Sequence, residues 1–289
     1  MASSGLARLL LPHPDLGSCI FAGVERDTRG TTLSDSERFN YYPATPMALV
    51  SWIFEGELHM VEGQGPASRA ILGPSLPRVV ISGPQSVPSA SWSPGPVYAL
   101  SVAFYPEALG RLCGTGIEPL LDQILPLKEV AGGAFLEACN ALFEANDGAD
   151  RFHCLENRLR PLWHAPSSGA AARMGDWVRS LATRAAFSTA GTGMRQIQRR
   201  IKGWTGQSHR DLQLFARVEE VMARSGEHRR ANALDLAGLA SDAGFADQSH
   251  MGREVRRVTG QSPARLDHLI AQSEAFWFYR LIQGHYDGM

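Results

Sequence analysis

A repeat with a spacing of 54 residues constrains the fold of this chain more than any other feature. Thr205-Gly206-Gln207-Ser208 recurs as Thr259-Gly260-Gln261-Ser262, and Leu212 recurs as Leu266. The apolar positions before each of these terminators also align: Ile197, Ile201 and Trp204 with Met251, Val255 and Val258. Four identical residues beside matching apolar stripes indicate two copies of one supersecondary unit.

The second copy has the signals of a helix with two chemically different faces. Asp247 is a good N-cap, and Gly260 with Pro263 marks the end of the helix. Its apolar stripe follows the i, i+4, i+7 spacing. The opposite face carries polar residues, with two more beside it: Ser249, Arg253 and Arg256, flanked by Gln248 and Gly252. Guanidinium groups suit guanine edges and phosphates, and glutamine suits adenine, so this face has the chemistry needed to enter a major groove. One such helix alone is more typical of a solvated surface, and it is the repeat that favours the groove.

The first copy repeats the basic face as well as the terminator. Arg195, Arg199 and Lys202 align with Ser249, Arg253 and Arg256. Helices are predicted before, between and after the two basic helices, at 176–190, 210–224, 234–243 and 269–282. Gly244 provides the tight turn of a helix-turn-helix before the second basic helix. The last, apolar helix either packs on the preceding unit or forms a partner surface.

The N-terminal part has the pattern of a β-barrel or sandwich. Gly-Pro pairs at 65–66, 73–74, 83–84 and 95–96 are turn signals between runs of strand length, at 47–54, 69–72, 78–82 and 97–105. In the last run, large residues alternate with smaller ones. Five aromatic residues are candidates either for a ligand pocket or for the core: Trp52, Phe54, Trp92, Tyr98 and Phe104.

Helices are predicted at 107–113, 129–146 and 151–164, with Pro161 ending or kinking the last one early. Their apolar stripes suit either a dimer face or a cover for the barrel. The predicted fold class is therefore α+β in two parts, with a cupin-like β-barrel or sandwich, following helices and an all-α domain of two helix-turn-helix units. The predicted domains are a sensory barrel at 1–110, a helical dimerisation or connector segment at 111–165, a linker at 166–172 and a DNA-binding domain at 173–289.

Charge separates the two parts of the chain. Residues 1–167 hold 11 Lys+Arg and 17 Asp+Glu, a net −6, whereas residues 168–289 hold 17 and 12, a net +5. Only the C-terminal part is therefore expected to meet a polyanion. The four cysteines have no zinc spacing and His59 has no H-x-H partner, so we expect no metal, no cofactor and no catalytic residue. No long apolar run occurs, and a cytoplasmic protein without a membrane partner is expected.

The C-terminal residues resemble the DNA-binding region of the AraC/XylS family of bacterial transcription regulators. The match runs through Leu239-Ala240-x-x-Ala243-Gly244-Phe245-x-Asp247-Gln248-Ser249-His250-Met251-x-Arg253-x-Val255-Arg256-Arg257-x-x-Gly260-x-Ser262-Pro263, and more loosely through the first copy. The resemblance implies an activator or repressor that places two recognition helices in successive major grooves. It also implies double-stranded promoter or operator DNA, RNA polymerase, a second copy of the chain and a small-molecule effector as partners.

The resemblance assigns roles to individual residues. Base-directed positions are Arg195, Gln198, Arg199, Gln248, Ser249, Gly252 and Arg253. Phosphate-directed positions are Lys202, Arg256, Arg257, Ser208 and Ser262. The first copy departs from the family pattern, since Gly193 stands where a capping serine is common and His209 where proline is common.

Two alternatives concern the N-terminal part. It either only dimerises or binds a protein partner, with no effector, or it is a barrel enzyme carrying a DNA-binding tail. No nucleophile elbow, Walker loop, metalloprotease motif or dinucleotide fingerprint occurs in the sequence, so we expect no enzyme.

Overall fold

The structure is a computed structural model that describes residues 6–63, 70–145, 148–164, 173–187, 193–230 and 236–287. Within these ranges the strands are β1 Ala7–Leu10, β2 Ile20–Asp27, β3 Phe39–Tyr42, β4 Ala48–Glu55, β5 His59–Glu62, β6 Ile71–Ser75, β7 Val79–Ser82, β8 Ser89–Trp92, β9 Tyr98–Phe104 and β10 Ile124–Pro126. The α-helices of the N-terminal part are α1 Pro106–Cys113, α2 Leu127–Val130, α3 Gly133–Asn140 and α4 Gly148–Leu159. Those of the C-terminal part are α5 Met174–Phe187, α6 Met194–Thr205, α7 His209–Arg230, α8 Leu236–Asp242, α9 Gln248–Thr259, α10 Pro263–Gln272 and α11 Trp277–Asp287.

The strands form two antiparallel sheets, in the orders β1-β2-β9-β4-β7-β10 and β3-β8-β5-β6. Strand β9 lies between β2 and β4, with Val102 opposite both Gly23 and Val50. The prediction of a two-part α+β fold, with a β-barrel or sandwich ahead of a helical domain, is confirmed.

The helical segment after β9 differs from its prediction in two ways. The single helix expected at 129–146 is broken into α2, α3 and a 3-10 turn, Ala141–Glu144. Gly132 and Gly133 lie at the break, and Gly133 has a φ of 55°, a conformation outside the helical region. The segment also supplies β10, which pairs with β7 and extends the larger sheet. Pro161 lies in a 3-10 turn after α4, which ends early as expected.

Helices α1 to α4 cover the outer face of the larger sheet. Their apolar residues, including Phe135 and Leu155, share one core with Trp52 and Phe104 of the sheet and with Leu142 of the 3-10 turn. The Trp52 indole nitrogen donates a hydrogen bond to the Cys139 carbonyl at 2.8 Å. The stripes predicted for a dimer face or a cover are therefore buried as a cover. The exposed side of α4 is polar and carries His153, Asn157 and Arg158.

The two helix-turn-helix units belong to different cores. The first unit, α5 and α6, adds Leu181 and Ile201 to the core of the larger sheet, which we call the large core. The second unit, α8 and α9, packs with α7, α10, α11 and the smaller sheet in what we call the small core. Phe39 and Ala44 join that core from the N-terminal part. Each unit is therefore held by a different side of the N-terminal part.

The linker predicted at 166–172 lies outside the described residues. Across the parts of the chain that are described, no helix is long and apolar enough to cross a membrane. The four cysteines form no disulfide, and burial raises the pKa of the Cys113 thiol to about 12.

Candidate DNA-binding surface and interdomain cavity

The two basic helices, α6 and α9, which are predicted to be recognition helices, end in the same hydrogen-bond pattern. The hydroxyl of Thr205 donates to the Ile201 carbonyl at 2.8 Å, and that of Thr259 donates to the Val255 carbonyl at 2.8 Å. The glycine after each threonine has a positive φ, 74° and 75°, and its amide closes the last turn. Each threonine hydroxyl also accepts from the amide of the following glutamine, at 3.2 Å in both helices. Since glycine adopts this left-handed conformation without strain, the repeated tetrapeptide is explained as a helix terminator.

The starts of the two helices differ. Asp247 caps α9 by accepting a hydrogen bond from the His250 amide at 2.7 Å. Gly193 occupies the same position before α6 and has no side chain to cap with. The departure noted in the sequence thus leaves α6 with fewer partners for its first amides.

The predicted base-directed side chains lie on the outer faces of α6 and α9. Exposed residues are Arg195, Gln198, Arg199, Gln248, Ser249 and Arg253, and Gly252 is half-buried. Arg195, Arg199, Arg253 and Arg256 form no hydrogen bond or ion pair with any residue that the structure describes. Their guanidinium forks are therefore unoccupied and face solvent, as an anionic partner requires.

The predicted phosphate-directed residues differ from these, because several hold internal partners. The Lys202 ammonium lies 3.3 Å from Glu118 of the N-terminal part. Arg257 donates to Asp211 at 2.8 Å, and the Ser208 hydroxyl donates to the same carboxylate at 2.5 Å. Ser262 is half-buried and begins α10 without a side-chain cap. Arg256 is thus the phosphate-directed cation that is free of described partners.

A cavity of about 500 Å³ lies inside the barrel and extends to the helical domain. Its barrel wall consists mostly of small or apolar residues, including Ser51, Ala99, Ser101 and Ala103. The helical domain closes it with residues of four helices: Met174 of α5; Phe215, Val218, Glu219 and Met222 of α7; Val258 of α9; and Trp277, Phe278, Ile282 and His285 of α11. A molecule that filled this cavity would lie against α7, which joins the two units, and against Val258 of α9.

The five aromatic residues that were candidates either for a pocket or for the core do not line this cavity. Trp52, Phe54, Tyr98 and Phe104 are buried in the large core, and Trp92 packs 6.5 Å from Phe39. The physical reason is the period of two along β4 and β9. Along β9 it directs the large residues toward the covering helices and the small residues between them toward the cavity. Along β4 it places Trp52 and Phe54 in the core, whereas Leu49, Ser51 and Ile53 line the cavity.

One charged cluster lies at the closed side of the cavity. The Arg26 guanidinium lines the cavity, is 6% exposed and lies 2.9 Å from Glu274 through Nη2. Its Nε makes no hydrogen bond with a described residue. Glu274 also accepts from Arg280 at 2.6 Å, and Arg26 lies over the Trp277 ring at 4.7 Å. Burial lowers the pKa of the Arg26 guanidinium, while Glu274 opposes this shift.

The backbone of the N-terminal part also touches the recognition helix of the second unit. The Ala44 amide donates to the Val258 carbonyl at 2.8 Å. A Cβ added at Gly260 would lie 3.4 Å from Pro88 Cγ. At the first unit, a Cβ added at Gly206 would lie 3.5 Å from Ile117 Cγ2. Both terminators therefore rest against the N-terminal part.

Comparison with known proteins gives no match among protein-family models or curated proteins. Among solved structures, the chain is similar to ToxT from Vibrio cholerae. An apo K231A form has 10% identity and a TM-score of 0.39, over 84% of this chain and 96% of that one. A form bound to an unsaturated fatty acid has 11% identity and a TM-score of 0.37, over 92% and 96% of the two chains. ToxT is an AraC/XylS-family regulator, the family that the recognition-helix motifs of this chain resemble.

Proposed function

We propose that this protein is a sequence-specific DNA-binding transcription regulator. The observation that carries the proposal is the repeated outer face of α6 and α9, where Arg195, Arg199, Arg253 and Arg256 lack internal partners within the described chain. Two such helices on one chain fit successive major grooves, about 34 Å apart on one side of the duplex. In this proposal the base readers are Arg195, Gln198, Arg199, Gln248, Ser249, Gly252 and Arg253. The phosphate contacts are Lys202, Arg256, Arg257, Ser208 and Ser262.

The first test is selection of duplex DNA from a random pool by the full-length protein, followed by binding at several salt concentrations. We expect a selected sequence whose affinity falls steeply as salt rises, because phosphate contacts release counterions. Arg253→Ala is expected to cost about 1–3 kcal/mol on that sequence and little on random DNA. Arg158→Ala, an exposed arginine on α4, is the matched control.

Two results would contradict the proposal. A protein that enriches no sequence over random DNA is not a specific regulator of this kind. An equal loss for Arg253→Ala on selected and random DNA would make Arg253 a phosphate contact and remove it from the set of base readers.

The cavity supports a second part of the proposal, that an apolar small molecule with an anionic group controls the regulator. The cavity wall is mostly apolar, whereas Arg26 is a cation with an unsatisfied Nε that is more than nine-tenths buried. The cluster of Arg26, Glu274 and Arg280 has two positive groups and one negative group. A carboxylate would therefore balance its charge and satisfy the free donor.

Control by such a ligand follows from where the cavity lies. Its wall includes Phe215, Met222 and Val258 from the helices that carry or join the recognition helices. A ligand that prefers one arrangement of these helices shifts the population toward it. An unsaturated fatty acid, which ToxT binds, has this chemistry, but the proposal rests on the cavity and on Arg26 of this chain.

Ligand binding is tested by thermal unfolding of the full-length protein with a fatty acid and with the alcohol of the same chain length. Binding to the folded state raises the melting temperature by mass action, with about 2.7 kcal/mol at 100 times the dissociation constant. We expect a larger rise with the acid, and Arg26→Gln is expected to remove that preference. Ser101→Leu, which narrows the cavity, is expected to weaken both effects. Equal effects of acid and alcohol on the unmodified protein would contradict the anionic part of the proposal.

A homodimer and a contact with RNA polymerase, which the family resemblance implies, stay predictions. The oligomeric state is measured directly by sedimentation of the full-length protein.

A further inference from the structure

Met194 is an exposed apolar residue, whereas the equivalent residue of the second unit is polar. It is the first residue of α6 and is 69% exposed. Leu11, Ile71, Leu72, Val87 and Phe187 are the other large apolar residues that are exposed in the described chain. None of these five lies on α6 or α9, so Met194 stands apart on the surface that faces DNA in the proposed function.

The repeat gives Met194 a counterpart in the second unit. The spacing of 54 residues aligns it with Gln248, which is the first residue of α9 and is also exposed. Arg195 follows Met194 just as Ser249 follows Gln248. Both residues come directly after the N-cap, Gly193 or Asp247, so the equivalence holds in the structure as well as in the sequence.

The two side chains differ in what they can recognise. Glutamine makes paired hydrogen bonds with adenine. Methionine donates no hydrogen bond, and its thioether sulfur is only a weak acceptor. The apolar group that the major groove displays is the C5-methyl of thymine. A flexible, polarisable methionine adapts well to such a contact.

We propose that Met194 reads a thymine methyl group in the half-site of the first unit. This inference rests on the proposed function and assigns a specificity-determining contact that neither arginine face provides. The two half-sites then differ in kind at the equivalent position: a methyl contact beneath α6, and a hydrogen-bonded base beneath α9.

The test uses the selected duplex with single thymines replaced by uracil, which lacks only the methyl group. The half-site bound by the first unit is identified by Arg199→Ala, because this substitution should change the base preference in that half-site only. At one thymine there, we expect uracil to weaken binding of the full-length protein about fourfold, as burial of one methyl group predicts. Met194→Ala is expected to bind the thymine and uracil duplexes equally, while Gln248→Ala keeps the difference.

Two results would overturn this inference while leaving the proposed function intact. One is specific binding that no uracil substitution in this half-site alters. The other is a Met194→Ala protein that discriminates thymine from uracil as strongly as the unmodified protein does. Failure to enrich any sequence would instead contradict the proposed function itself. Because Met194 is exposed, we expect Met194→Ala to unfold at the same temperature as the unmodified protein.

Discussion

The two helix-turn-helix units keep the same internal bonds and differ in almost everything around them. The threonine hydroxyls that end α6 and α9 bond to the carbonyl four residues earlier at the same distance, 2.8 Å. In contrast, α9 begins with an aspartate cap and α6 with a glycine. Ile201 packs in the large core and Met251 in the small core. The repeat thus preserves what shapes a recognition helix, while each copy has acquired its own anchor in the N-terminal part.

The largest expected effect comes from removing the buried side chain that anchors each unit. Ile201 and Met251 are both fully buried, so Ile201→Ala and Met251→Ala are each expected to cost about 2–5 kcal/mol. Because the two residues lie in different cores, we expect each substitution to destabilise a different region of the protein. We expect hydrogen exchange to accelerate in α5 and α6 for Ile201→Ala, and in α8 and α9 for Met251→Ala.

Met194→Ala is the control for this pair, since it shortens an exposed residue of α6 and should leave exchange unchanged. If either core variant accelerated exchange equally in both units, the two cores would form one cooperative unit. The conclusion that each unit is anchored independently in its own core would then be wrong.

A smaller effect is expected from the helix starts. Asp247→Ala removes the bond from the His250 amide and is expected to destabilise the protein by about 0.5–2 kcal/mol. Gly193→Ser supplies the missing cap to α6, and a gain of only a few tenths of a kcal/mol is expected, because glycine is itself a tolerated N-cap. Denaturant unfolding measures both changes. If Gly193→Ser changed the free energy of unfolding more than Asp247→Ala did, the N-cap would not be what distinguishes the start of α6 from the start of α9.

The smallest effect concerns the internal partners of the phosphate-directed cations. Lys202 pairs with Glu118 across the two parts of the chain, and both side chains are more than half exposed. Such a pair is worth at most about 1 kcal/mol. Glu118→Gln is therefore expected to raise DNA affinity by up to about fivefold at low salt, with the gain vanishing at high salt. Arg257 is paired with Asp211 inside the helical domain, so Glu118→Gln should leave its contribution unchanged. A gain that persists at high salt would mean that Glu118 does not act through charge.

The helical half could be predicted well from the sequence because its signals are local. Asp247, Gly244 and Gly260 determine a start, a turn and an end within a few residues of themselves, and the structure has each of them in that role. The apolar stripe of α9 is buried as the spacing predicts, through Met251 and Val255.

The cavity could not be predicted in this way, because it depends on contacts between distant segments. The alternation along β9 shows that two faces exist, but α3 and α4 determine which face is covered. The partner of Arg26 is Glu274, which lies at the other end of the chain. No local pattern links the two residues, so the charged cluster is visible only in the folded protein.

The two alternating faces of β9 carry side chains with different structural roles. Leu100, Val102 and Phe104 hold the sheet to its covering helices, whereas Ala99, Ser101 and Ala103 face the cavity. Substitutions in the second set alter the shape of the cavity without opening a hole in the core. The residues that shape the cavity are therefore separate from those that hold the sheet to its covering helices, so a single substitution can change one without changing the other.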